Sequence, residues 1–441
     1  MVVLVQDKAI PDPPLAEREG FSLPALKRQF RLWAVFDFAN SLIYTNVILY
    51  FSQWLTIERG VADFWYNLVL TVSTILLIVT APLFATWGDQ VRRRAWFLRV
   101  TAVVMVIGGL LIGSLFWFKA GSGWLSGLGI IGFLLINYSY QLSLPFYDAM
   151  LGDVSSREKY VRASGFGLSF GWIGAIVGIL VVYPIAKGLF PLVPSGRLAA
   201  IGFATLLFAG AAIIPLRKLK EPFTSQPQDR IPLREAARQL WDDIKALPRN
   251  PPLFAFLIAY WIYIDTILTL EDNFPIYLER TFGLPDAMKA VLVVIIIVGG
   301  VIGALLTGLF VKPAQSVRIL RLAVGLGAVG MMAMGLAPNQ ASFIGILVLV
   351  ALLFGAILTI SRSLYTELVP RPDRRSQYFG FYSIAERSSS IIGPLVWGTI
   401  VSFSPFAKGL QYRVAILALG VLMVVSLIPL SAMTKRAIRN D

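Results

Sequence analysis

Two blocks of nearly continuous hydrophobic sequence, residues 31–216 and 253–433, each break into six segments long enough to cross a bilayer. A hydrocarbon core of ~30 Å needs about 18–20 apolar residues per helical crossing. With 57% hydrophobic and 15% charged residues and a mean hydropathy of +0.72, the composition lies outside that of soluble domains. Backbone groups in hydrocarbon must be satisfied within their own segment, which favours helices. The expected fold is therefore all-α integral membrane, with twelve transmembrane helices in two six-helix bundles. The charge-free stretch 322–361 is too long for one crossing, and Pro338-Asn339-Gln340 should turn it.

Polar segments set the remaining boundaries. Residues 1–30, with Pro11, Pro13, Pro14 and Pro24 among charges, read as an N-terminal tail, and 434–441 as a C-terminal one. Between the bundles lies a connector, 217–252. Within it Leu233, Ala236, Ala237, Leu240, Trp241, Ile244 and Leu247 recur at helical spacing, opposite Arg234, Glu235, Arg238, Asp242, Asp243 and Lys245. This is an amphipathic helix, lying on the membrane surface or filling space beneath the bundles.

Charge placement sets the topology. The net charge is +14, and of 39 lysines and arginines 29 fall on the side of the N-terminus, 8 opposite and 2 within spans. By the positive-inside rule both termini and the connector are cytoplasmic. The basic excess then reports orientation and contact with anionic membrane lipids, and no nucleic-acid partner is expected. Short tails without sorting signals point to a prokaryotic inner membrane. Without cysteine or histidine, thiol chemistry, Cys/His metal sites and histidine relays are excluded, so no metal and no cofactor are expected. Asp148 and Asp153 stand five residues apart on different helix faces, and no nucleophile–base cluster is visible. The chain therefore does not read as an enzyme.

Polar groups inside spans are costly and should face a cavity or a partner. On span one Asp37, Asn40, Ser41 and Tyr44 stand at i, i+3, i+4 and i+7. On span four Asn137, Tyr140, Gln141 and Asp148 share a face, and the two stripes are expected to line one cavity. Span seven carries Trp261, Asp265, Thr269 and Asp272 in line, with Asp265 about 18 Å in from the cytoplasmic end. In the absence of histidine, this carboxyl is the candidate proton carrier; the alternative is a carboxyl that only accepts hydrogen bonds from a neighbouring helix. Arg362 and Arg387 are the intramembrane arginines, and each needs a carboxylate, a carbonyl or a solute anion. Glu386 and Asp265 are their candidate partners; a permanent ion pair and direct solute binding both fit. Gly393-Pro394 marks a bend in span eleven, and Gly167, Gly171, Gly174 and Gly178 allow close helix packing in span five. Gly165-Phe166 and Gly178 recur 215 residues later as Gly380-Phe381 and Gly393, as a parallel duplication of the two halves would have it.

Twelve spans in two halves, a basic connector, and Asp89 followed by Arg92, Arg93 and Arg94 resemble the major facilitator superfamily. Phe36-Asp37-Phe38-Ala39-Asn40-Ser41 resembles the opening signature of its autophagy-related vacuolar amino-acid effluxer family, also called the unknown major facilitator family. Phe146-Tyr147-Asp148-Ala149, Ser164-Gly165-Phe166-Gly167, Ser361-Arg362-Ser363 and Gly380-Phe381-Tyr382 extend the match. Departures stand at Ala85, Asp148, Gly152, Asp265-Thr266 and Glu386-Arg387, and the loop after span eight lacks an aspartate. The resemblance implies the major facilitator fold and a monomeric secondary transporter of a small-molecule solute, with amino acids the cargo of fungal relatives and protons a possible coupling ion. Asp37, Asn40, Tyr44, Asn137, Gln141, Asp265, Arg362, Glu386 and Arg387 would form the solute or proton site. Asp89, Arg92, Arg93, Asp153 and Arg157 would latch the cytoplasmic side. Export of amphipathic drugs or lipids is the alternative within transport, and a non-transporting receptor or scaffold the alternative outside it.

Overall fold

A computed structural model describes residues 23–437, except 62, 91–92, 119–122, 190–194, 221–232, 285, 372–373, 390–391 and 404–408. Eleven helices among the described residues are long and apolar enough to cross a membrane. The remaining span, the eleventh in chain order, is described as two helices, Arg375–Ser389 and Ile392–Phe403. Span one extends further back than the sequence suggests: its helix is described over Leu23–Gln53, reaching into the stretch read as a tail, and closes in a π-helical turn at Trp54–Glu58. The connector forms its helix at Leu233–Ala246, with Arg234, Glu235, Arg238 and Asp242 exposed.

Local chemistry sets the helix ends. Asn250 accepts the Leu253 amide at 3.4 Å ahead of Pro251 and Pro252, starting span seven, and Gly283 at φ 64° ends that helix. The expected turn at 338–340 is the start of span ten, where Asn339 Oδ1 accepts the Ser342 amide at 2.9 Å. Small residues let the helices approach. A Cβ on Gly108 would overlap the Gly132 carbonyl between spans three and four, and one on Gly303 would overlap the Leu352 carbonyl between spans eight and ten. Val79, Leu180, Leu206, Phe310, Leu349 and Ile428 stay exposed, as side chains solvated by lipid do. Spans seven and one are the most enclosed, with 67% and 56% of their apolar windows buried against 33% for span two.

The chain forms two compact units that do not coincide with its two halves. The first holds residues 1–156, 170–240 and 370–381; the second holds 157–169, 241–369 and 382–441. The start of span five thus packs with the second unit and the start of span eleven with the first. These are the segments that carry the repeated Gly165-Phe166 and Gly380-Phe381.

Candidate functional site

In the first unit the polar stripes of spans one and four face each other. Asn40 Nδ2 donates to Ser143 Oγ at 3.3 Å, Tyr44 Oη donates to Asn137 Oδ1 at 3.1 Å, and the Tyr44 and Tyr140 rings stack at 3.7 Å. Asn40, Asn137 and Gln141 are buried, yet Asn40 Oδ1, Asn137 Nδ2 and Gln141 Oε1 have no hydrogen-bond partner among the described residues. Such groups are rare and call for a ligand or water. Asp37 is buried beside Gly171 of span five, where a Cβ would meet its carboxylate. Gly174 and Gly178 continue that seam against the Phe38 carbonyl and against Leu42 and Asn46.

At the side carrying the arginine-rich loops, here the basic side, the same unit holds a buried charge network. Arg94, fully enclosed, donates from Nε to Asp89 Oδ1 at 2.8 Å and to Ser376 Oγ at 2.7 Å, and from Nη1 to Asp153 Oδ2 at 2.7 Å. Arg375 reaches Asp153 Oδ1 at 3.5 Å. Asp89 Oδ2 accepts the Gln377 amide at 2.8 Å, in the first turn of the helix that begins at Arg375, where an anion complements exposed amides and the helix dipole. Two carboxylates and two guanidiniums thus share one dry site. The cluster draws on Asp89 and Asp153 as expected, but the cations are different ones. Arg93 is exposed ahead of the helix that starts at Arg94, which turns Arg94 inward as its first residue. Arg92 lies outside the described residues. Arg157 is exposed and belongs to the second unit. Gly152 makes room, since a Cβ there would overlap the Arg375 guanidinium.

The second unit holds the remaining candidates. Asp265, 2% exposed, accepts the Gly393 amide on Oδ2 at 2.5 Å, with Thr269 beside it. Gly393 and Pro394, which has no amide to donate, stand in the helix described over Ile392–Phe403. Glu386 accepts from Tyr260 Oη at 3.0 Å and lies 3.8 Å from the Arg387 guanidinium, both side chains about one quarter exposed. Tyr260 stacks on Tyr382 at 4.1 Å, and Trp261 donates to Ser388 Oγ at 3.2 Å. Arg362 engages span five: its Nε donates to Ser164 Oγ at 3.1 Å and its Nη2 to the Ser164 carbonyl at 2.6 Å. Ser164 in turn donates to the Thr359 carbonyl at 2.9 Å. Among the described residues no group of three His, Cys, Asp or Glu side chains is placed to hold a metal.

A helical multi-pass membrane protein with polar groups kept at depth is the class this fold defines. The chain belongs to the Major Facilitator Superfamily, whose family model matches residues 34–394. It is 24% identical over 423 residues to the uncharacterized MFS-type transporter YxiO of Bacillus subtilis, covering 91% of this chain and 95% of that one. It is also 26% identical over 267 residues to autophagy-related protein 22-1 of Neosartorya fischeri, covering 54% of this chain but 43% of that protein. Among solved structures, the human organic anion transporter MFSD10 superposes with a TM-score of 0.71 at 14% identity, covering 92% of this chain and all of that one. The Escherichia coli fucose:proton symporter FucP superposes at 0.67 with 12% identity, covering 92% and 99%. The chain is thus a transporter-family membrane protein and not an enzyme.

Proposed function

We propose that the protein is a secondary active transporter of a small carboxylate-bearing solute, an amino acid or a related acid, working by alternating access with proton coupling. The observation that carries this reading is the set of buried carboxamide atoms on spans one and four without partners among the described residues. Asn137 Nδ2 is a donor for a solute carboxylate; Gln141 Oε1, Asn40 Oδ1 and the Asp37 carboxylate are acceptors for an ammonium or hydroxyl. Tyr44 fixes Asn137 from its other side. Within the second unit Arg387, partly exposed and 3.8 Å from Glu386, is a further candidate group for an anion. Asp265 is the proton carrier, because its carboxylate is tied to the Gly393 amide of span eleven. The Asp89–Arg94–Asp153–Arg375 cluster is the latch of the basic side, made and broken in each cycle. Both termini and the basic loops lie in the cytoplasm of a prokaryotic inner membrane, and the working unit is a monomer.

A thermal-shift screen of the purified protein against amino acids, organic acids, sugars and phosphates tests the solute class. Amino acids or organic acids should raise the melting temperature, and Asn137→Ala should weaken that binding by ~10-fold, the scale of one hydrogen bond to a charged group. A response confined to sugars, or one indifferent to Asn137→Ala and Gln141→Ala alike, removes this site from solute recognition.

A further inference from the structure

Spans three and six of the first unit touch at one end and part at the other. A Cβ at Gly113 would overlap the Gly202 backbone, and one at Gly109 would overlap Thr205, so these helices are pinned there by the absence of side chains. Toward the basic side they separate around a groove of about 550 Å³. Its floor is buried Ala102, Phe208 and Ala212; its outer walls are exposed Val103, Ile107 and Ile213. The mouth is different in kind. Arg99 and Arg217 line the same groove there, and both are exposed. Arg99 donates from Nε to the Leu216 carbonyl at 2.7 Å and from Nη2 to the Leu219 carbonyl at 3.5 Å, at the end of span six, which holds its guanidinium across the opening.

We propose that this groove is a binding site for an anionic phospholipid, with one acyl chain between spans three and six and the headgroup phosphate between Arg99 and Arg217. Three features favour that occupant. The groove is apolar along its length and cationic at one end, the distribution complementary to such a lipid. From Arg99 to Ile107 it runs about 12 Å along the helix, against ~15 Å for one leaflet of the hydrocarbon core. Finally, two guanidiniums at the mouth match a phosphate and repel the ammonium of a zwitterionic headgroup, and basic pockets between helices on this side are suited to anionic lipid. Capping of span six alone accounts for the carbonyl contacts of Arg99 but not for a trough continuing from it, nor for Arg217.

The test is native mass spectrometry of the full chain released from nanodiscs of equal phosphatidylglycerol and phosphatidylcholine. Wild-type protein should retain phosphatidylglycerol preferentially. Arg217→Gln and the groove-filling Ala209→Phe should each cut that retention about fivefold, the scale for one basic residue at an anionic surface. Lys312→Gln, exposed on the same side but outside the groove, should leave it unchanged. Equal retention of both lipids by the wild type overturns the site, as does an effect of Arg217→Gln no larger than that of Lys312→Gln. Loss with Arg217→Gln but not with Ala209→Phe overturns the acyl seat.

Discussion

Residues 370–381 in the first unit and 157–169 in the second are corresponding segments, the starts of spans eleven and five, and they are held by different forces. Their shapes agree. Gly380 lies where a Cβ would meet Pro82 of span two, and Gly165 where one would overlap the Ala304 carbonyl and crowd Gly308 of span eight. Their polar chemistry does not. The start of span eleven is fixed by four buried charges and a capped amide, whereas the start of span five is fixed by Arg362 on Ser164, Ser164 on the Thr359 carbonyl and Ser169 on the Val301 carbonyl at 3.3 Å. A buried charge cluster is costly unless every member is paired, so it is made or broken as a whole; hydrogen bonds to a serine and to backbone carbonyls can be exchanged one at a time. The two segments thus share a glycine contact and differ in their electrostatics.

The sharpest way to break this contrast is Arg94→Leu, which strands Asp89 and Asp153 without their shared cation in a dry site. It should destabilise the detergent-purified protein by about 3–5 kcal/mol, read as a fall in melting temperature. Neutralising the cluster together (Asp89→Asn, Arg94→Gln, Asp153→Asn, Arg375→Gln) should recover much of that loss; no recovery would mean that the charges do not act as one unit. In the other segment Arg362→Gln should cost less, about 1.5–3 kcal/mol, through loss of the charge-assisted bonds to Ser164. Gly165→Val and Gly380→Val should each cost about 1–3 kcal/mol through overlap with a neighbouring helix, and by similar amounts if the seam is shared. Gly152→Ala should have the smallest effect, about 0.5–1.5 kcal/mol, because the Arg375 guanidinium can shift off its rotamer. These follow from the same melting curves.

Much of this was legible in the chain. Hydropathy gave the spans, periodicity gave the connector helix, and the spacing of Asp37, Asn40 and Tyr44 against Asn137 and Gln141 brought two faces together that do meet. What stayed hidden depended on where helices restart and on partners far along the chain. Three consecutive arginines do not reveal which one opens the next helix, and the side chain that does so, Arg94, is the enclosed one. Arg375, Ser376 and Gln377 meet Asp89, Arg94 and Asp153 from more than 200 residues away. For Asp265 the sequence leaves two readings open, proton carrier and acceptor from a neighbouring helix, and it does not say which helix donates; the Gly393 amide of span eleven does. For Arg362 the sequence leaves a carboxylate, a carbonyl and a solute anion open, and the Ser164 carbonyl and hydroxyl are among the groups that meet it.

Proton-driven flux through Asp265 is tested most directly in proteoliposomes loaded with the solute found by thermal shift. Under an imposed pH gradient the wild type should concentrate that solute, while Asp265→Asn should lose gradient-driven accumulation and keep exchange of labelled for unlabelled solute. Accumulation by Asp265→Asn equal to that of the wild type would contradict the mechanism.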